Sequence, residues 1–554
     1  MADFFAANRE TLDQALKALQ TRDYWSPYPE VPSGRIYGET AAADGEAAFK
    51  ARLGKPFELP GHPGQGGAVG KESSPYGTDL GVTYPGATTA QLVTASATAG
   101  AAWGKAPVEL RVGVCLEILR RLNAASFEMA HAVSQTTGQP FMMAFQAGGP
   151  HAQDRGLEAV AYAYAEMTRT PRTARWTKPQ GKQDPIVLDK EYRIVPRGVA
   201  LTIGCATFPT WNSYPGIFAS LATGNSVIVK PHPNAILPLA LAVETGRAVL
   251  REAGFDPNVL LLAADEPGAE KTKELALDPA VKIIDFTGSN AFGTWLRENA
   301  RQAQVYTEEA GVNSIVVTGT DAFKAMCSNI AFSLSLYSGQ MCTAPQNVYV
   351  PRVGIETDEG HKSADEVAAG IKTAVDKLLG DPQRAAAVCG AIANPATLER
   401  VAGAASLGKV VRESAPIEGL SGARTATPVI VQVEAGEGGP YLEERFGPIS
   451  FVVTAADAAD AIDRAAASAR SKGAITAAVY ATDEGLLERA ADAFAAAGVN
   501  LSCNLTGGIF VNQNAAFSDY HVTGANPAGN ASLTDAAFVA NRFRIAAIRR
   551  PAAA

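Results

Sequence analysis

The first signal along the chain is helical. Phe5, Leu12, Leu16 and Leu19 fall on one helix face. A Gly/Pro-rich stretch from Pro60 to Pro85 reads as loop. Residues 1–80 therefore look like an N-terminal extension, to which the pattern assigns no function. From Thr98 to Thr168 the helical period returns, with Leu110, Val114, Ile118 and Leu122 four residues apart and few turn residues between them. Helices of this kind are expected to cover one face of a sheet.

From Tyr192 onward short β-branched runs alternate with helical stretches. Gly198–Ile203, Ser226–Val229, Val259–Leu262 and Lys282–Phe286 are predicted strands. That alternation gives βαβ units and a parallel sheet, which takes dinucleotides at the carboxyl ends of its strands. A second alternating set follows at Ser314–Val317, Asn347–Val350, Val429–Val433, Ile449–Val453 and Thr476–Tyr480. The prediction is an α/β protein with two parallel-sheet domains and no solenoid repeat.

Composition narrows the partners. With 554 residues the chain exceeds one ordinary core, and 19% charged with 47% apolar residues suits a globular protein. A net charge of −8 and the lack of a long basic run argue against nucleic acid and anionic membranes. The first twenty residues include Asp3 and Glu10 and lack the pattern of a signal peptide, and no apolar run is long enough to span a bilayer. A cytoplasmic location is expected. The six cysteines are dispersed, which fits a reducing compartment, and the six histidines are far apart, so no metal is expected.

Two constellations carry candidate chemistry. Ile283–Thr287 reads as a strand that runs through Gly288-Ser289-Asn290-Ala291-Phe292-Gly293 into a helix over Thr294–Ala300. Glycines there let a pyrophosphate approach the backbone and the helix start, although Gly-Ser-Asn is also an ordinary helix cap. The second is Glu309-Ala310-Gly311-Val312-Asn313 with Cys342, which lies in Gly339-Gln340-Met341-Cys342-Thr343-Ala344 after a helical run Asn329–Tyr337. An element end can present a thiol to a cleft. The other five cysteines read as small buried apolar residues.

Taken in order, Phe208-Pro209-Thr210-Trp211-Asn212, Val229-Lys230-Pro231, Phe286-Thr287-Gly288-Ser289 with Gly293, Glu309 with Gly311, Gly339-Gln340-Met341-Cys342 and Glu443-Glu444-Arg445-Phe446-Gly447-Pro448 resemble the signature of the aldehyde dehydrogenase superfamily. The resemblance runs from about Gly81 to the C-terminus. Tyr24-Trp25-Ser26-Pro27-Tyr28-Pro29 and Glu308-Glu309-Ala310-Gly311 are further similar to its phenylacetic acid degradation group called PaaN. The form implied is the one without a fused hydratase domain.

The resemblance implies roles. Cys342 would attack the aldehyde, the Asn212 amide and the Cys342 N–H would hold the oxyanion, and Glu309 would activate the water that releases the acid. Glu308 would take that part if the register were one residue off; the glycine at 311 favours Glu309. Trp211, Lys230, Pro233, Gly288, Ser289, Gly293, Gly311, Glu444 and Phe446 would form the cofactor site. Many members carry a glutamate three positions after the lysine, where this chain has Pro233. That change, with Lys230 nearby, implies NADP as the preferred cofactor, with NAD possible.

The segment between Asn212 and Lys230 is several residues shorter than usual, and Asp519–Pro527 replaces the usual Gly-Gly segment. The implied substrate is a small-molecule aldehyde, possibly a coenzyme A-linked semialdehyde of phenylacetate catabolism. The implied domains are the extension (1–80), a cofactor-binding domain (81–310), a catalytic domain (311–529) and a C-terminal segment (530–554) that joins residues 172–196 in a bridging element. Such an element implies a homodimer or homotetramer. The rival readings are a coenzyme A-acylating enzyme and a non-catalytic binding protein on the same fold.

Overall fold

Val199–Ile203 is buried along its whole length, as a strand covered on both faces must be. In the computed structural model, which describes residues 3–64, 67–309, 311–436 and 438–552, it is the central strand of a five-stranded parallel sheet. The order is Leu260–Leu262, Ser226–Lys230, Val199–Ile203, Val281–Gly288 and Gln304–Glu309. The chain runs outward on one side and then returns to build the other. Its reversal point lies between Val199–Ile203 and Val281–Gly288, where such sheets open a ligand crevice.

A second sheet of seven strands carries the later residues. Its order is Lys409–Arg412, Val429–Glu434, Ile449–Ala455, Asn347–Pro351, Ser314–Val317, Thr476–Tyr480 and Asn500–Cys503, parallel except for the first pair. Ser314–Val317 and Thr476–Tyr480 fall where the β-branched runs place them. The pattern missed Gln304–Glu309, Lys409–Arg412 and Asn500–Cys503, which are edge strands with polar residues. An edge strand has one neighbour and needs no continuous apolar run. Thr173–Gln180, Gln183–Pro196 and Phe543–Pro551 form a separate antiparallel sheet, and Trp176, Ile186, Val195 and Ile545 are exposed on it.

The helical region before Thr168 resolves into five helices from Thr89–Trp103 to Pro150–Thr168. The N-terminal residues do not stand apart from them. Leu12, Ala15, Tyr28, Phe49 and Phe57 are buried in the same apolar core as Leu119, Val160 and Val229. The expected helix over Thr294–Ala300 begins earlier, at Asn290, because the Ser289 hydroxyl accepts the Phe292 N–H and caps it. The expected Asn329–Tyr337 helix spans Phe323–Ser335 instead. It stops because Tyr337, Ser338 and Gly339 take left-handed φ values of 50°, 49° and 63° in succession.

Candidate active site

Those three left-handed residues redirect the chain from a buried helix into the turn that carries Cys342. The Tyr337 hydroxyl donates to the Thr137 carbonyl, and the Ser338 hydroxyl donates to the Ala426 carbonyl at 2.9 Å. Gly339 must be glycine, since a Cβ there would lie 2.5 Å from the Gly447 carbonyl oxygen. Beyond the turn, the buried Asn313 amide donates to the carbonyls of Cys342 (2.8 Å) and Ala344 (3.0 Å). Its oxygen accepts the N–H groups of Ile475 and Thr476 at 2.8 and 3.1 Å. With four bonds made, Asn313 fastens the cysteine turn to the second sheet. The sequence reading placed Asn313 in a motif without giving it this task.

Three groups converge on the thiol. His521 Nε2 lies 3.8 Å from Cys342 Sγ and 2.9 Å from Glu308 Oε1. The Asn212 amide donates to Glu308 Oε2 at 2.8 Å and keeps its second N–H for another acceptor. Burial holds the Cys342 thiol well above its ordinary pKa. The negative charge of Glu308 and a hydrogen bond to it push the same way, and the cysteine's own backbone N–H opposes them. One ligand atom each from Glu308, Cys342 and His521 lies within 4.8 Å of the others. That donor set is able to hold a borderline divalent cation, a grouping that sequence spacing did not reveal.

The structure turns Glu308, rather than the expected Glu309, toward the thiol. Successive side chains of a strand point to opposite faces, so only one of two neighbouring carboxylates can face the thiol. That residue is Glu308. Glu309 forms an ion pair with Arg297 and lies against Gly293, where a Cβ would clash with its carboxylate. Gly311 misdirected the register. It is small because a Cβ there would come within 2.3 Å of the Gly473 carbonyl oxygen, a packing demand unrelated to the cofactor.

Trp211, expected at the cofactor, packs instead edge-on against His521 at 4.6 Å between centroids, with the Arg155 guanidinium 5.3 Å from its ring. It lines a cavity of about 530 Å³ that reaches Cys342, together with Phe208, Phe332, Met341 and Phe510. Tyr24, Trp25 and Tyr28 of the N-terminal extension also line it. Trp25 packs on Phe517 at 5.3 Å, and the Ser26 hydroxyl donates to Asp154 Oδ1 at 2.9 Å. The extension is thus a wall of the cavity. No signal within its own residues could have shown this, because the contacts are long-range.

The remaining expected residues gather around the first sheet and the facing loop. Gly288 ends its strand, and a Cβ there would strike the Phe286 ring at 2.6 Å. The helix Asn290–Asn299 then starts, capped by Ser289, just beyond the carboxyl end of that strand. Lys230 is not a free cation: its Nζ sits 2.7 Å from Asp265 Oδ1, and both groups are buried. Pro233 follows in the loop after that strand. Glu444 is half-buried, and desolvation lifts its carboxyl to about 7 against the pull of Arg400. Arg400 also holds the Phe446 carbonyl at 2.9 Å.

The chain resembles known proteins in the same terms. The model of the family described as "Aldehyde dehydrogenase family" matches residues 70–518. Vanillin dehydrogenase of Corynebacterium glutamicum is 29% identical over 312 residues, 54% of this chain and 60% of that protein. The 1-pyrroline-5-carboxylate dehydrogenase of Bacillus subtilis is 28% identical over 227 residues, 40% of this chain and 42% of that one. The chain thus spans about half the length of these curated relatives. The crystal structure of an NAD-dependent aldehyde dehydrogenase from Burkholderia multivorans superimposes with a TM-score of 0.98 at 55% identity, covering 100% of both chains. A Thermus 1-pyrroline-5-carboxylate dehydrogenase with bound NAD shares the fold at 19% identity, with a TM-score of 0.73 over 96% of this chain and 99% of that one. This chain belongs to the aldehyde dehydrogenase family and has its α/β fold.

Proposed function

We propose that the protein oxidises an aldehyde to a carboxylic acid with a nicotinamide cofactor, with Cys342 as nucleophile, Asn212 as oxyanion donor and Glu308 as the base for deacylation. The observation that carries this reading is the convergence of Glu308 and Asn212 beside the Cys342 thiol. The thiolate would add to the carbonyl carbon, and the oxygen would gather negative charge next to the Asn212 amide and the Cys342 N–H. After hydride loss a thioester remains on sulfur. Glu308 would then take a proton from water as that water attacks the thioester. This favours water over coenzyme A as the acyl acceptor.

Gly288, Ser289 and Gly293 at the helix start, with Lys230, Glu444 and Phe446, would hold the cofactor, which supplies the hydride acceptor when bound. We take NAD as that cofactor. The NADP expectation rested on Pro233, with Lys230 as a cation for a 2′-phosphate, but Asp265 already neutralises Lys230 and sets a carboxylate beside it. The 55% identical protein is itself described as NAD-dependent.

For the substrate, the aromatic and methionine lining suits an apolar or aromatic aldehyde. The titratable lining residues include Glu30, Asp154 and Asp519 with His151, and among the described residues the lining has no Lys or Arg. A coenzyme A-linked semialdehyde of phenylacetate breakdown, which the resemblance implies, would find no cation for its phosphates within this cavity. Comparing kcat/KM for phenylacetaldehyde and a coenzyme A-linked semialdehyde tests the choice. A large preference for the thioester would restore the resemblance-based substrate.

The exposed apolar residues on the antiparallel sheet support a second copy of the chain as the partner that covers it. Sedimentation of Ile545→Arg beside wild type checks this: a smaller species is expected. No helix among the described residues is long and apolar enough to cross a membrane.

A further inference from the structure

The stretch Tyr24-Trp25-Ser26-Pro27-Tyr28-Pro29 lies ahead of residues 70–518, which carry the family pattern, and the chemistry at Cys342 gives it no task. Each proline fixes its own φ and pushes the residue before it into an extended conformation, so the chain here lies outside helix and sheet. Trp25 is half-buried, and it lines the same cavity as Cys342. We propose that Trp25 is a specificity-determining residue of this enzyme, its indole ring receiving the aryl group of an aromatic aldehyde whose carbonyl is held at Cys342.

A segment outside helix and sheet holds a ring in place only if its side chains anchor it. The helix Arg9–Thr21 ends where Arg22 takes a left-handed φ of 58°. The Arg22 guanidinium then donates to the Tyr162 hydroxyl at 3.1 Å and to the Ser518 carbonyl at 3.2 Å. Four residues on, the Ser26 hydroxyl donates to the buried Asp154 at 2.9 Å and accepts the Tyr28 N–H at 3.0 Å. Trp25 sits between these two anchors and packs edge-on against the buried Phe517, with 5.3 Å between ring centroids. Its ring is therefore placed before any substrate arrives, and a ligand that packs on it bears little cost of ordering the wall.

The rest of the cavity is of the same kind. Phe332 and Phe510 stack with 4.1 Å between centroids, while Phe208 and Trp211 stand at the start of the helix that carries Asn212. An aryl group in a cavity of about 530 Å³ exchanges hydration for ring contacts, whereas a short aliphatic aldehyde leaves most of that space unfilled. A ring held away from the carbonyl keeps the aldehyde against the sulfur, so its binding acts on KM and on thioester formation and leaves the water step alone. The extension thus selects the substrate, and the residues around Cys342 carry out the reaction.

This proposal rests on the reading of Cys342 as the point of attack on an aldehyde. The test is kcat/KM for cinnamaldehyde, phenylacetaldehyde and propanal in wild type, Trp25→Ala and Trp25→Phe. Trp25→Leu, which keeps apolar bulk against Phe517 without a ring, is read in the same way as the alanine variant. We expect Trp25→Ala to lower the aryl-to-propanal ratio about 10-fold, the equivalent of ~1.4 kcal/mol, mainly through KM, and Trp25→Phe to restore most of it. An unchanged ratio in the alanine and leucine variants would overturn the proposal, and an equal fall for all three aldehydes is such a case, the mark of a cysteine turn displaced by a structural change. So would a Trp25→Phe ratio no higher than that of Trp25→Ala. Calorimetric binding of cinnamamide and propanamide, which needs no turnover, makes the same comparison. If wild type oxidised none of the aldehydes, the functional reading would fail while weaker cinnamamide binding to Trp25→Ala kept the aryl site; equal binding to both proteins would sink it.

Discussion

Glu308 and Glu309 leave the same strand end in opposite directions, one toward the Cys342 thiol and the other toward Arg297 and Gly293. The thiol side is closed and polar only where its groups meet: Glu308 and His521 are 1% exposed and Asn212 is 6% exposed. On the other side Glu309 is just as buried, at 2% exposed, and its partner Arg297 is partly exposed. The two carboxylates thus differ in what they face, a thiol or a guanidinium, so their removal should affect different steps.

The largest effect is expected at the sulfur itself. Cys342→Ala should abolish aldehyde oxidation while leaving the fold and nicotinamide binding unchanged, measured as reduced-cofactor absorbance and as binding by fluorescence. Residual turnover comparable to wild type would take the thiol out of the reaction. The same change at Cys389, which is buried, should leave kcat unaffected.

The two carboxylates give the next contrast. Glu308→Gln should keep a burst of reduced cofactor and then lose about 10²- to 10⁴-fold in steady-state rate, since only the water step lacks its base. Glu309→Gln breaks the ion pair of a buried carboxylate with the partly exposed Arg297, so a loss of stability or of cofactor affinity is expected, without a burst followed by slow turnover. Stopped-flow and equilibrium binding on the pair of variants check this. If Glu309→Gln gave the burst and Glu308→Gln did not, the assignment of the two faces would be reversed.

The same contrast explains what could be read from sequence. Cys342 and Asn212 were legible because each stands in a motif with local spacing, and the parallel sheets were legible because buried strands are apolar throughout. The choice between Glu308 and Glu309 was not, because Gly311 suggested a register while answering to the Gly473 carbonyl. His521 lies 179 residues from Cys342, in a segment without periodic signal that the Arg155–Glu158 pair helps to hold. Trp25 and Ser26 likewise line the cavity through long-range partners, Phe517 and Asp154.

The smallest effect separates two explanations of cofactor choice on the dinucleotide side. Pro233 offers no acceptor for ribose hydroxyls and no charge against a 2′-phosphate, so by itself it would favour NADP. Asp265, 2.7 Å from Lys230, changes that balance by cancelling the lysine and placing a carboxylate beside it. Specificity is a difference of affinities, and a carboxylate counts twice, by accepting from a diol and by repelling a phosphate. Asp265→Asn should thus raise the NADP-to-NAD ratio of kcat/KM by about 5- to 150-fold, the equivalent of 1–3 kcal/mol for one charge-assisted contact. Pro233→Glu should move the same ratio by less, since a carboxylate is already present. Direct binding of both cofactors to the two variants is the second readout. A Pro233→Glu shift larger than that of Asp265→Asn would return the choice to position 233 and leave Asp265 as a structural partner of Lys230 alone.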